Sequence, residues 1–155
     1  MVELKLYSFN VRGINNRLKR RTIFRHLKNK YGPGIFMLQE THSSEEMEQM
    51  WRIEWNGAIY FSHGSTNSCG VATLISPGLD LNVKTLHKDN AGRLLALTVQ
   101  IDDDNEYAVY NIYAPVRSQT QDQLAFLNSI KDVFNNNDSL HIIMGVILIP
   151  YLSPI

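Results

Sequence analysis

Five polar residues stand where chemistry is easiest to build, at the ends of otherwise apolar runs. Asn10 closes the run in Ser8-Phe9-Asn10-Val11-Arg12-Gly13. Glu40 closes Met37-Leu38-Gln39-Glu40-Thr41-His42. Asn111 and Tyr113 fall in Asn111-Ile112-Tyr113-Ala114-Pro115, and Arg93 opens a run after Gly92. If the fold brings these ends together, the result is an amide, a carboxylate, a phenol and a guanidinium in one place. That set suits a hard divalent cation and a phosphate. Magnesium prefers carboxylate and water oxygens, and few protein ligands hold it. It polarises a phosphoryl oxygen and stabilises the charge that develops there. Read singly, each residue has a plainer role. Glu40 is then a solvated strand-end carboxylate, Asn10 a turn former before Gly13, and Tyr113 a core ring with its hydroxyl at the rim.

The elements that must position these residues follow from periodicity. Leu4–Val11 is apolar on both parities, as in a strand covered on both faces. Arg17–Lys30 reads as a helix, with Ile23, Phe24, Leu27 and Tyr31 on one stripe and a basic remainder (Arg17, Lys19, Arg20, Arg21, Arg25, Lys28, Lys30). Gly32-Pro33-Gly34 ends it. Ile35–Gln39 is a second short strand. Ser43 followed by Glu46 has the form of a capping box for a short helix whose apolar side is Met47, Met50 and Trp51. Strands are expected at 58–62, 70–75, 81–87, 93–101 and 107–113, the last two joined as a hairpin through an acidic turn at 102–105. A helix over 119–134 with Leu124, Leu127, Ile130 and Phe134 inward, and a strand over 140–144, complete the pattern. The weak alternation in 4–11 and 140–149 predicts central strands, and the 93–113 hairpin is expected nearer an edge. The whole is a mixed α/β layout with helices outside a sheet.

Composition bounds the rest. The chain has 155 residues, 44% hydrophobic and 19% charged, enough for one domain with a real core. Basic and acidic residues balance at 15 each, so any attraction to nucleic acid must come from local patches. The single cysteine, Cys69, permits no internal disulfide, reads as a small packing residue, and fits an intracellular setting, nucleus or cytoplasm. The apolar run near 142–149 is too short for a membrane helix, so no membrane partner is expected. The five histidines show no ligand spacing.

Taken in order, the Asn10 segment, Gln39-Glu40-Thr41-His42, Gly70-Val71-Ala72, Gly92-Arg93 and Asn111-to-Pro115 resemble the endonuclease/exonuclease/phosphatase superfamily. The nearest likeness is to the endonuclease domains of LINE-type retrotransposons. The resemblance covers residues 4 to about 145. It implies an α/β fold, the N-terminal part of a two-sheet deoxyribonuclease I-like sandwich with helices outside the sheets. It also implies phosphodiester hydrolysis by water with magnesium or manganese, on a DNA substrate. By position it makes Glu40 the metal ligand, Asn10 a support for metal and phosphate, and Tyr113 a contact to the scissile phosphate. Asn111 and Arg93 are expected to serve phosphate or DNA binding.

The chain also departs from that pattern. After Ile142-Ile143-Met144-Gly145 the family has Asp-Phe-Asn, whose aspartate orients the attacking water and whose asparagine holds the phosphate. Here Val146-Ile147-Leu148-Ile149-Pro150 follows, with no Asp or Asn after Gly145. Val116 stands where the retrotransposon group often has asparagine after Tyr-Ala-Pro. The family's closing Ser-Asp-His motif has no match. The sequence therefore reads as a partial domain over 1–155, with a second half missing and an apolar sheet face uncovered and prone to self-association. Three functions remain open: an enzyme fragment inactive by itself, a non-enzymatic remnant that binds nucleic acid or protein, and a phosphatase of the same fold.

Overall fold

The computed structural model describes residues 4–102, 105–115, 120–136 and 138–146. Eight strands form two four-stranded sheets. In the first, β1 (Leu6–Asn10), β2 (Ile35–Gln39), β3 (Ile59–Ser62) and β4 (Val71–Ile75) lie in the order β1-β2-β4-β3. In the second, β5 (Asn82–Lys88), β6 (Leu94–Gln100), β7 (Glu106–Tyr113) and β8 (Leu140–Val146) lie in sequence order. β1 and β2 run parallel, as do β7 and β8, while the other pairs are antiparallel.

Three helices cover the outer faces. α1 (Arg17–Tyr31) and α2 (Glu48–Trp55) lie on the first sheet, and α3 (Thr120–Asn135) lies on the second. α1 starts where the Asn16 side chain accepts the Lys19 amide at 3.0 Å, satisfying one of the donors a helix start leaves open. Its stripe of Phe24 and Leu27, flanked by Ile23 and Tyr31, packs against Phe36, Leu38, Trp51 and Trp55. Between the sheets lies a second apolar layer of Ile35, Met37, Val71, Ile75, Leu95, Leu97, Val99 and Val109. The period-2 alternation of β2 and β6 places successive side chains in these different layers.

The structure corrects several expectations. Among the described residues the inner faces of the two sheets pack on each other through this layer, where the sequence led us to expect an uncovered face. An apolar cleft of about 590 Å³ does open between the sheet layers, lined by Leu4, Leu6, Val99, Ile101, Tyr107, Val109 and Ile142 among others. It lies at the β1 amino end and the turn end of the β6–β7 hairpin, opposite the site described below.

Among the described residues β1 and β8 are edge strands, and the β6–β7 hairpin is central. Both β1 faces are covered, by helices on one side and the second sheet on the other, so its sequence mimics a central strand. The second long helix turns Phe126 and Ile130 inward, flanked by Val133 and Phe134, and leaves Leu124 and Leu127 exposed. The i, i+4, i+7, i+8 set is the continuous stripe. Ser43 caps nothing: a short 3-10 turn, Glu45–Met47, precedes α2, and the Ser43 hydroxyl bonds to Thr41 and His63 instead. Met50 is exposed, and Trp51 and Trp55 form the buried side of α2.

Candidate active site

Asn10 and Gln39 are partners in the parallel β1–β2 ladder, so the residues that follow them leave the sheet side by side. Val11, Gly13 and Ile14 extend that pairing through amides that donate to the carbonyls of Gln39, Glu40 and Thr41. At the tip, Asn10 Nδ2 donates to Glu40 Oε1 at 2.8 Å, and Asn10 Oδ1 accepts the Arg12 amide at 3.1 Å. Glu40 has a φ of 54°, in the left-handed region that side chains avoid. The neighbours that hold it there are the Gly13 amide on its carbonyl at 2.6 Å and the Thr41 amide on the Gly70 carbonyl at 2.9 Å. Backbone strain of this kind persists only where surrounding bonds over-determine it.

Lys19 secures the loop that follows β1. Its ammonium donates to the carbonyls of Val11, Arg12 and Gly13 at 3.1, 2.8 and 2.6 Å. Gly13 matters for a second reason: its φ is +72°, and a Cβ there would lie 2.6 Å from His42 Nδ1. The Arg12 and His42 side chains thereby flank Glu40.

The second sheet contributes Tyr113 from the end of β7. Arg93 immediately precedes β6 and packs on the Tyr113 ring, with its guanidinium carbon 5.5 Å from the centroid and NH1 3.3 Å from the Tyr113 carbonyl. The Tyr113 amide donates to the Arg93 carbonyl at 2.8 Å. Asp89 fixes this turn by accepting the amides of Arg93 and Leu94 at 2.9 and 3.0 Å. Arg93 therefore positions Tyr113.

The electrostatics are those of a coupled pair. Burial alone would raise the Glu40 carboxyl. Hydrogen bonds from Asn10 and Tyr113 and the nearby charges of His42 and Arg12 outweigh it and hold Glu40 below its ordinary value. Burial, then the bond to the Glu40 carboxylate and its charge, push the Tyr113 phenol up to about 12. The phenol stays protonated at any physiological pH and is a permanent donor.

Asn111 is fully buried between the sheets. Its amide nitrogen donates to the carbonyls of Leu38 at 3.2 Å and Ala72 at 3.0 Å, and its oxygen accepts Gln39 Nε2 at 2.8 Å. It is a polar tie from the second sheet to the first, directly beneath the site, and it seats the Tyr113 end of β7 on the Glu40 end of β2. Gln39, Arg12, His42 and Asp89 were not singled out from sequence. Asp89-Asn90-Ala91-Gly92 was readable as a turn, and Gln39 and His42 flank Glu40 in its own motif.

Gly92 supports the neighbouring loop. Its carbonyl accepts the Gly70 amide at 2.9 Å, its φ is +66°, and a Cβ there would collide with the backbone of Gly64 and Gly70. The Gly92→Ala variant should lose about 1–3 kcal/mol from the left-handed conformation alone, with the collision adding to it. Urea unfolding would read this as a lower midpoint.

β8 completes the end of the second sheet. Its parallel register sets Gly145 opposite Ile112 and Val146 opposite Tyr113. The position after Gly145 thus lies at the site end of the sheet. Val116 and residues 147–155 lie outside the described residues.

The polar cluster of Asn10, Glu40 and Tyr113 thus lies at one end of an α/β/β/α sandwich. A sequence profile of the endonuclease/exonuclease/phosphatase family matches residues 7–145. The chain belongs to that family. It is 31% identical over 136 residues to the uncharacterized 149 kDa protein of transposon TX1 from Xenopus laevis, covering 88% of this chain and 10% of that protein. Among solved structures, an AP endonuclease from Archaeoglobus fulgidus superposes with a TM-score of 0.66 at 22% identity, over 92% of this chain and 56% of its own. Truncated TDP2 from Caenorhabditis elegans gives 0.57 at 21% identity, over 89% and 59%. The fold is the two-sheet deoxyribonuclease I-like sandwich expected from the sequence. The chain spans less than two thirds of each of these relatives.

Proposed function

We propose that this chain carries the metal- and phosphate-holding part of a DNA phosphodiesterase site, of the nicking type found in retrotransposons, and that it binds a phosphodiester with magnesium or manganese while hydrolysing it very slowly or not at all. The observation that carries this reading is the Asn10–Glu40–Tyr113 cluster beside a valine at the strand-end position following Gly145.

The donor set fits a hydrated magnesium ion. Asn10 and Tyr113 use only part of the acceptor capacity of the Glu40 carboxylate. Among the described residues no cluster of three or more His, Cys, Asp or Glu side chains could hold a metal. An ion held by one carboxylate, with water and substrate oxygens filling the other positions, is the arrangement magnesium favours. When bound, it would supply charge stabilisation at the phosphoryl group. Asn10 orients the carboxylate, and Tyr113 donates a hydrogen bond to Glu40 or to a phosphate oxygen. Arg93 holds the Tyr113 ring in place. Hydrolysis also needs a group to orient and deprotonate water, and valine has none. Groups that act as a unit lose most of their effect together. Among the described residues no helix is long and apolar enough to cross a membrane.

The test is thermal unfolding with millimolar magnesium. The wild-type midpoint should rise with ion concentration, as a ligand that binds only the folded state requires, and the Glu40→Ala variant should show no rise. An equal rise in both would remove Glu40 from the site. The pH dependence has a definite sign. Because Glu40 is held below its ordinary value of 4.5, its charge persists at that pH and is lost only as pH falls further. The magnesium-dependent rise should therefore still be present at pH 4.5 and fade below it. A rise already halved at pH 5 would contradict the assigned environment.

A further inference from the structure

α1 carries seven lysines and arginines and no acidic residue between Arg17 and Tyr31, in a chain whose 15 basic and 15 acidic residues balance overall. Most of these cations are engaged inside the molecule. Arg20 is 1% exposed and, with Arg17, pairs with Glu54 at 2.7 and 3.1 Å. Lys19 holds the three carbonyls of the site loop. Lys28 bonds to the Trp55 carbonyl and lies 4.7 Å from the Trp55 ring centroid, and Lys30 lies 5.3 Å from the Tyr31 ring centroid.

Arg21 and Arg25 are different. Both are exposed, and neither forms an ion pair with a described residue. They are one helical turn apart, about 6 Å along the axis at the α-helical rise. Lys28 continues the same stripe, about 4.5 Å further on. Like charges at this spacing repel each other and weaken the helix. The three cations border a shallow depression of about 230 Å³, completed by Phe24, Asn29 and Glu54. The charge of Glu54 is already met by Arg17 and Arg20, so it does not oppose an incoming anion.

We infer that the Arg21–Arg25 pair of α1, with the engaged Lys28 at its border, is a second nucleic-acid contact, one that grips consecutive phosphates of a strand away from the Glu40 cluster. The spacing of the cations is close to that of successive phosphates along a strand. Arginine forks suit phosphate oxygens better than isolated point charges do. The aromatic ring at the depression, Phe24, is buried rather than turned outward, so the surface lacks the exposed aromatic anchors of a membrane-lying helix. The contact reads no base sequence. It adds affinity and orientation, and it would hold a duplex whose scissile phosphate lies at the Glu40 cluster. In that last respect it rests on the proposed function, but phosphate binding by the stripe does not.

The experiment is fluorescence anisotropy of a labelled DNA duplex titrated with the full chain at 50–200 mM salt. The proteins compared are wild type, Arg21→Gln/Arg25→Gln and Glu40→Ala. Each phosphate contact contributes about 0.9 to the slope of log affinity against log salt, so the double variant should lose about 1.8 of slope and bind several-fold more weakly at low salt. Both substitutions lie on an exposed surface, and an unchanged melting temperature would establish that the variant is folded. Glu40→Ala is read only for its magnesium response: it should lose the magnesium-dependent gain in duplex affinity, which Arg21→Gln/Arg25→Gln should keep. That separates the outcomes: loss of magnesium response at Glu40 with an intact stripe, or the reverse, identifies which reading fails. An unchanged slope in the double variant would overturn the inference. So would no measurable duplex binding by the wild type, or charge-dependent binding to anionic vesicles in preference to DNA.

Discussion

The Asn111→Ala variant is expected to melt about 10 °C below the wild type. The side chain is fully buried and makes three close hydrogen bonds across the interface between the sheets: to the Leu38 and Ala72 carbonyls and from Gln39. Each such bond contributes about 1 kcal/mol net, and more where its loss strands a buried partner. The hole left behind adds a cavity cost. The sum is about 3–5 kcal/mol. A chain of this size loses about 2–4 °C in midpoint per kcal/mol. Against a typical total stability of about 5–15 kcal/mol, that is a large share. The Asn111→Leu variant separates bonding from volume. It fills the space but returns none of the bonds, so its midpoint should stay close to that of Asn111→Ala. Recovery to the wild-type midpoint would show that packing alone matters there. Because Asn111 ties the Tyr113 end of β7 to the Glu40 end of β2, the magnesium response should weaken in both variants.

The second large effect is a gain. Val146→Asp should raise magnesium-dependent plasmid nicking roughly 10²-fold over the background seen with wild type, the lower end of what a positioned acid–base group contributes. β8 runs parallel to β7 and sets the Val146 backbone opposite Tyr113, at the same end of the sandwich as Glu40. On the proposed function, a carboxylate there supplies the water-orienting group that valine lacks. The gain stays at the low end because the accompanying asparagine and histidine of the family pattern are not restored.

Much of this was legible in the sequence because the informative residues interrupt apolar runs. Glu40, Asn10 and Tyr113 stand out as polar groups at strand ends, and strand ends are where parallel neighbours converge. The pairing of Asn10 with Gln39 then brings Asn10 and Glu40 together. Asn111 looked equally chemical, yet it is a sheet-to-sheet tie. A single residue type cannot reveal whether its strand position turns toward the interface between sheets or toward solvent. The strand order was misjudged for a related reason. β1 is apolar on both faces because the helices and the opposite sheet cover it, and coverage of faces says nothing about edges. The polar braces Lys19 and Asp89 were silent because each acts on backbone groups, which carry no sequence signature. The Leu124 and Leu127 positions misled because two adjacent stripes on α3 are apolar and only one meets the sheet.

The central claim, a preserved Glu40 cluster with its water-orienting group replaced by valine, is tested most directly by nicking of supercoiled plasmid in magnesium by four proteins: wild type, Glu40→Ala, Val146→Asp and the double variant. No nicking above background is expected for wild type and Glu40→Ala, clear nicking for Val146→Asp, and return to background in the double variant. Robust wild-type nicking that vanishes in Glu40→Ala would contradict the inert state assigned to this chain, and nicking by Val146→Asp that survives loss of Glu40 would contradict the site itself.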